Sequence, residues 1–254
     1  MKNLLIALLL INLLATSAYA VSDRSQARLM FQEANAHYLE KEYKKAIEGY
    51  EDVRSAGFES GHLYYNLGNA YFKEGFLGEA ILNYLRARRF TPRDPDLKAN
   101  LEYARSLIKD GQIKKERNPI AGLFFKLSGF FTLNENILTC SVVYFILSLV
   151  LILAILIERI RGRLLFASVL SLSVLLIFIS FTVVNLNRIV LQKRGVIISE
   201  VTPAKFEPLD YSTTYFTLHE GNAVMVTNSK KDWLKVKRRD GKQGWVRRNA
   251  IKLI

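Results

Sequence analysis

Residues 137–157 read ILTCSVVYFILSLVLILAILI, and after the six residues ERIRGR the chain continues at 164–186 with LLFASVLSLSVLLIFISFTVVNL. Neither apolar run contains a charged side chain. A helix needs about 20 apolar residues to cross the hydrocarbon core of a bilayer, and both runs reach that length. The sequence therefore predicts a two-helix transmembrane hairpin at residues 134–187. A pair of buried core helices in a soluble protein is the alternative.

Two features predict the side of the membrane on which the soluble segments lie. The short turn of the hairpin carries three arginines, with Arg161 among them, and such turns lie in the cytoplasm by the positive-inside rule. At the N-terminus, Lys2, an apolar stretch and Ala18-Tyr19-Ala20 have the form of a secretory signal peptide. We therefore predict a signal peptide at residues 1–20, with an uncleaved N-terminal anchor as the alternative. Both interpretations place the two soluble arms outside the cytoplasm.

The charge of the chain is positive and unevenly distributed. The chain has 36 Lys and Arg against 23 Asp and Glu, a net charge of +13. Residues 188–254 alone carry 14 Lys and Arg against 6 Asp and Glu, a net charge of +8. This basic arm suits anionic lipid, peptidoglycan of a cell wall or an acidic protein. Nucleic acid is excluded as a partner by the predicted location. The single cysteine, Cys140, lies in the first span, so no intrachain disulfide is expected.

Residues 21–116 contain a 34-residue period that is typical of paired helices. The signature residues of the period beginning at Gly61 are Tyr64, Leu67, Gly68, Tyr71, Ala80, Tyr84, Ala87 and Pro92. A weaker copy begins at Ala27, and a partial copy begins at Pro95. The stretch resembles tetratricopeptide repeats, which implies an α-solenoid of two repeats and a capping helix with a concave ligand-binding face.

Side-chain amides recur at two positions of this period. Gln32, Asn66 and Asn100 share the sixth position, and Asn35 and Asn69 share the ninth. We predict that these five residues face the groove and bind the backbone of an extended peptide, because an amide both donates and accepts hydrogen bonds. The alternative is that the asparagines belong to the scaffold of the repeats. Some tetratricopeptide proteins bind a C-terminal carboxylate, but the basic residues of that clamp are not present here.

The segment that joins the repeats to the hairpin, residues 117–133, is apolar and aromatic but too short to span a bilayer. It is predicted to lie in the membrane interface. A linker packed on the protein itself is the alternative.

Residues 188–254 change to a pattern of short strands separated by turns. The order of the motifs DWLKV at 232–236 and DGKQGWV at 240–246 resembles a bacterial SH3-like domain, which implies a β-barrel that binds peptides or cell-wall stems. Trp233 is predicted to be a core anchor or an aromatic binding platform. The exposed basic residues Lys237, Arg238 and Arg239 are predicted to bind an anionic partner.

The complete arrangement is a multidomain α plus β protein with an α-solenoid, two transmembrane helices and a C-terminal SH3-like β-barrel. This order, together with the sequence NLEYAR at 100–105, resembles the BatE family of the bacterial aerotolerance cluster. The resemblance implies a periplasmic assembly module in the bacterial inner membrane. It would work with membrane proteins that carry von Willebrand-type domains, in envelope or oxidative-stress tolerance. A cell-wall binding or sensing protein is the alternative. No catalytic, cofactor or metal motif is recognised, so we predict a protein that is not an enzyme.

Overall fold

The computed structural model describes residues 25–109, 118–188 and 192–254, and the predicted signal peptide at 1–20 lies outside these ranges. The first described range forms an all-helical unit. Its helices are α1 (25–39), α2 (Tyr43–Ser55), α3 (Gly61–Lys73), α4 (Leu77–Phe90) and α5 (Pro95–Ser106). Local signals fix two of the helix starts. The Ser60 side chain accepts a hydrogen bond from the Leu63 backbone, and Pro95 opens α5 behind an Asp94 cap.

Neighbouring helices of this unit pack through small residues and buried tyrosines. Gly68 on α3 lies against the Tyr84 ring on α4, where an added Cβ would approach the ring to 2.7 Å. Ala80 and Tyr84 are almost fully buried, as is Tyr50 in the preceding helical pair. The helices thus pack as successive pairs, consistent with the predicted repeats, while the superhelical solenoid stays a prediction.

The middle of the chain contains an apolar helical hairpin. It consists of α6 (Pro119–Ser128), α7 (Leu133–Leu156), a 3₁₀ turn (Glu158–Ile160) and α8 (Arg161–Leu186). Two helices, at Leu133–Leu156 and Glu158–Leu186, are long and apolar enough to cross a membrane, with mean hydropathies of 2.7 and 2.6. Little of either is buried within the protein, 6% and 17% of its most apolar window. The alternative of buried core helices is therefore not supported. Helix α6 packs on α8, where the Asn185 amide donates to the Ser128 carbonyl at 2.7 Å.

The C-terminal arm forms one antiparallel sheet of seven strands. The strands are β1 (Arg194–Ile197), β2 (Val201–Lys205), β3 (Thr214–His219), β4 (Ala223–Lys230), β5 (Trp233–Lys237), β6 (Gln243–Arg247) and β7 (Ile251–Leu253), in the order β3-β2-β6-β5-β4-β1-β7. Its core is an apolar cluster that includes Ile197, Leu218, Val236 and Val246.

The sheet is not closed into the predicted barrel. Within the described residues no ladder joins the outer strands β3 and β7. The free side of β7 is met by a helix instead of a strand, because the Arg86 guanidinium donates to the Leu253 carbonyl at 2.7 Å and Ile254 packs into the helical core. A side chain from α4 therefore satisfies a backbone group at an edge that pairing alone would leave exposed.

The helical unit and the sheet pack directly against each other. Val196 of β1 belongs to the same buried cluster as the side chains of α4 and α5. Gly78, near the start of α4, touches the sheet so closely that a Cβ would lie 2.7 Å from the Ile197 carbonyl oxygen. The backbone N–H of Gly78 also donates to the Glu220 carboxylate at 2.7 Å. This contact joins the two soluble arms, which no local sequence pattern predicted.

The helical unit also contacts the end of the hairpin at which α7 begins and α8 ends, hereafter its open end. The Arg93 guanidinium, in the loop after α4, makes two hydrogen bonds to the Glu135 carboxylate in the first turn of α7, at 2.5 and 3.2 Å. It also lies over the Phe130 ring, 5.3 Å from the centroid. These contacts place the end of α4 beside the open end of the hairpin.

Candidate ligand-binding surfaces

The predicted amides meet on one face of the helices and bond to one another. The Asn66 amide donates to Oδ1 of Asn35 at 2.9 Å, and the Asn100 amide donates to Oδ1 of Asn69 at 3.0 Å. A buried tyrosine donates to each of the same two oxygens, Tyr50 to Asn35 at 2.7 Å and Tyr84 to Asn69 at 2.7 Å. We call these four asparagines and their contacts the amide ladder.

The four asparagines of the amide ladder differ in how many hydrogen-bonding groups they have left for a ligand. Two donors already fill the acceptor oxygens of Asn35 and Asn69, so these oxygens have nothing left for a ligand. Asn66 and Asn100 each donate an N–H within the ladder. Within the described chain no donor reaches their own Oδ1 atoms. Gln32 is exposed and makes no bond in the described ranges. The ladder thus links successive helical pairs and leaves only part of its amide groups available.

Aromatic side chains flank the amide ladder and complete the surface. Tyr65 accepts a hydrogen bond from Asn100 at 3.0 Å, and its ring lies 6.2 Å from that of Tyr84. Phe72 and Tyr103 contact each other at a centroid distance of 5.7 Å, and 60% of Tyr103 is exposed. The prediction from sequence omitted these aromatics, although Tyr103 shares the ninth position of the period with Asn35 and Asn69. We call the amide ladder with these rings the groove face.

Trp233 of the sheet has little ring surface to offer to a ligand. Only 6% of the residue is exposed, and the Arg247 guanidinium lies over its ring, 4.4 Å from the centroid. Arg247 is in turn bonded to Asp210. Of the two roles predicted for Trp233, this placement favours the packed anchor.

The three predicted basic residues near the β5–β6 turn have different surroundings. Lys237 and Arg239 are exposed, and neither forms an ion pair within the described residues. Arg238 instead pairs with Asp240 at 2.7 Å and lies over the Phe216 ring, 4.9 Å from its centroid. Arg238 therefore stabilises the turn, and the other two cations remain open to an anion.

The loop between β2 and β3 presents aromatic rings that the sequence prediction missed. Phe206, directly after β2, and Tyr215, in β3, have ring centroids 4.6 Å apart with a tilt of 32° between the planes, and they are 58% and 44% exposed. Tyr211, at the tip of the same loop, is 85% exposed. Aromatic residues at both ends of a polar loop are the sequence signal from which this surface could have been inferred.

One group in the described ranges has the composition of a metal site. Ligand atoms of His37, Glu40 and Glu42 lie within 4.8 Å of one another. Both carboxylate oxygens of Glu42 are engaged, one with His37 at 2.7 Å and one with Lys45 at 2.9 Å. These bonds close the turn between α1 and α2 as a hydrogen-bond network that includes the Glu42–Lys45 ion pair, so the group gives no support for a bound ion.

No protein-family model matches the chain, and no curated protein matches its sequence.

Proposed function

We propose that the protein is a membrane-tethered interaction scaffold of the periplasm, in which the groove face captures an extended segment of another protein. The expected setting is an envelope or oxidative-stress tolerance complex of the BatE type, with membrane proteins that carry von Willebrand-type domains as partners. The protein is proposed to act by binding alone, without a cofactor or metal.

The observation that carries this proposal is the chemistry of the groove face. It combines acceptor oxygens of Asn66 and Asn100 with the exposed ring of Tyr103. Backbone N–H groups of an extended peptide need acceptors, and apolar side chains of the peptide need aromatic surface. The helices are already linked by the amide ladder, so the face is preorganised and binding orders few side chains.

The proposed topology places both soluble arms in the periplasm of a bacterial inner membrane and Arg161 in the cytoplasm. Its support is the pair of long apolar helices joined by a short arginine-containing turn. A phosphatase reporter fused after Ile254 is expected to be active, because phosphatase folds outside the cytoplasm. Activity of a cytoplasmic reporter at the same position would overturn this topology.

The capture of a partner is tested on the full chain by crosslinking in the native membrane. Tyr103→Ala removes an exposed ring of the groove face and is expected to reduce the crosslinked partner several-fold. Leu29→Ala is the matched control, since Leu29 is 66% exposed and lies at the third position of the period, away from the ladder register. Equal crosslinking by the Tyr103 variant and the control would reject the groove face as the capture site.

A second candidate function is cell-wall binding through the sheet. It is favoured by the exposed pair Phe206 and Tyr215, because aromatic faces stack on sugar rings and on peptide stems. Co-sedimentation with purified peptidoglycan tests it. Binding that is lost in a Phe206→Ala variant, with partner crosslinking intact, would favour this second function over the first.

A further inference from the structure

Four arginines from separate segments lie together where the helical unit meets the sheet. Arg88 is in the last turn of α4, Arg105 is in the last turn of α5, Arg194 begins β1, and Arg239 lies in the β5–β6 turn. The Arg86 guanidinium donates to the Leu253 carbonyl and Leu253 pairs with Gly195, which places the end of α4 beside the start of β1. The positive charges of Arg194 and Arg239 act on Arg88, and those of Arg88 and Arg239 act on Arg105. We call these four residues the arginine cluster.

Three members of the arginine cluster form no ion pair within the described residues. No ion pair reaches Arg88, Arg105 or Arg239 there, and the carboxylate of Asp240 is taken by Arg238. Burial, followed by the charges of Arg88 and Arg239, lowers the pKa of Arg105 to about 10, while Glu102 opposes this only weakly. Partial removal from water and the neighbouring arginines also lower the pKa of Arg88. Such a concentration of guanidinium groups is destabilising by itself and is relieved by an anion.

The arginine cluster lies beside the open end of the membrane hairpin. A chain of hydrogen bonds leads from the end of α8 to the cluster. The Gln192 amide donates to Asn187 at 3.1 Å, and the Arg194 guanidinium donates to Gln192 at 2.8 Å. On the helical side, the end of α4 is held at the start of α7 by the pair of Arg93 and Glu135. The register of the sheet places the β5–β6 turn at the same end, since Arg194 pairs with Met225 and Met225 pairs with Lys237.

We propose that the arginine cluster binds the phosphate headgroup of an anionic phospholipid in the leaflet at the open end of the hairpin. Guanidinium groups suit this ligand, because their planar N–H pairs match two phosphate oxygens at once. A lipid is favoured over a free phosphate because both flanks of the cluster are bonded to the ends of the spanning helices, at headgroup depth. The bound phosphate joins α4, α5, β1 and the β5–β6 turn, and so fixes both soluble units at the membrane surface. This site is independent of the groove face.

The test compares lipid retention by the full-length protein and a double variant. Arg88→Gln with Arg239→Gln removes two exposed members of the arginine cluster. Lys230→Gln with Lys231→Gln is the control, because it removes the same charge from the far end of the β4–β5 hairpin. Each protein is purified from bilayers of phosphatidylglycerol and phosphatidylcholine, and native mass spectrometry counts the lipid that remains bound. Inorganic phosphate is added to a separate sample in detergent, and its effect on the melting temperature is recorded.

The wild-type protein and the control are expected to retain phosphatidylglycerol in preference to phosphatidylcholine, and the double variant is expected to lose this preference. Equal retention by the double variant would overturn the proposal, as would equal retention of the two lipids by the wild type. A phosphate-induced rise in melting temperature without retained lipid would overturn the assignment to a lipid. If the double variant has a lower melting temperature than the wild type in phosphatidylcholine, the comparison is repeated with the single variant Arg239→Gln, which changes a residue in an exposed turn.

Discussion

The amide ladder and the arginine cluster are both sets of polar side chains carried by successive elements, but their hydrogen-bonding states are opposite. In the ladder, Oδ1 of Asn35 and of Asn69 each accept two hydrogen bonds, one from a buried tyrosine. In the cluster, Arg88, Arg105 and Arg239 form no ion pair with a carboxylate among the described residues. The first set completes the scaffold, whereas the second is proposed to bind an anion from outside the described chain.

This difference changes how a regular polar pattern should be interpreted. A buried polar group contributes to stability only when its partners are present, and its loss leaves those partners unsatisfied. The periodic asparagines therefore serve mainly to link the helical pairs by hydrogen bonds, and only part of their amide groups is left to bind a ligand. Arg88, Arg105 and Arg239 show no periodicity in the sequence and form no ion pair within the described residues, so their donors can serve a ligand.

The largest expected effect comes from forcing apart the helices that carry the ladder. Gly68→Leu introduces a side chain where even a Cβ would lie 2.7 Å from the Tyr84 ring. Overpacking of this kind costs about 1–3 kcal/mol or more, and here the displaced tyrosine also loses Asn69 as its acceptor. We expect loss of helical circular dichroism and an early melting transition. A native-like melting curve would show that the helices separate without cost.

A smaller effect is expected from removing one acceptor of the ladder. Asn69→Ala leaves the buried Tyr84 hydroxyl without its acceptor, at a cost of about 1–3 kcal/mol. The Asn100 amide loses one of its two acceptors and keeps the Tyr65 hydroxyl. Gln32→Ala is the control, since Gln32 is exposed and makes no bond within the described residues. Urea unfolding should separate the two variants clearly. Equal midpoints would mean that the ladder adds nothing to stability.

The contact between the two soluble units is expected to depend on pH. Burial raises the pKa of Glu220 from its ordinary value of 4.5, and the charges of Glu79 and Glu200 act in the same direction. The packed form therefore binds the proton more tightly, so the stability of the contact falls as pH rises from 4.5 through the raised pKa and is constant above it. Glu220→Gln keeps an acceptor for the Gly78 N–H and removes this dependence.

Melting temperatures of the wild type and the Glu220→Gln variant between about pH 4 and pH 8 measure the effect. The two should agree at the acidic end, and the variant should be the more stable above the raised pKa. The opposite order would mean that the charged carboxylate is the preferred form in the contact.

The smallest expected effect concerns the arginine cluster in the absence of anionic lipid. Arg105→Gln removes one of several like charges, so in detergent at low salt it should raise the melting temperature slightly. The gain should shrink at high salt, because the neighbouring Arg88 and Arg239 are exposed and the screening length falls from about 30 Å at 0.01 M salt to about 3 Å at 1 M. A lower melting temperature at every salt concentration would show that Arg105 is held by an attractive partner.

The elements with a local or periodic signal could be predicted from the sequence. The two uncharged runs of span length correspond to α7 and α8. They could be predicted because charged side chains are costly in lipid, so a long run without them is a direct sequence signal. The paired helices followed from small and aromatic residues such as Gly68 and Tyr84. The strands followed from short apolar runs between turns, but their closure into a barrel did not, because strand order depends on contacts far apart in the chain.

What the sequence determined by itself is therefore the type of each segment: a basic strand-forming arm, a repeat of helical pairs and a hairpin of membrane length. Only the tertiary structure decided which polar groups are satisfied. Asn69 and Asn100 are 31 residues apart, and Gly78 and Glu220 are 142 apart. Hydrogen bonds act over about 3 Å and charge repulsion over about 10 Å in space, whatever the separation along the chain. The ladder, the contact between the arms and the arginine cluster thus exist only once the elements are packed.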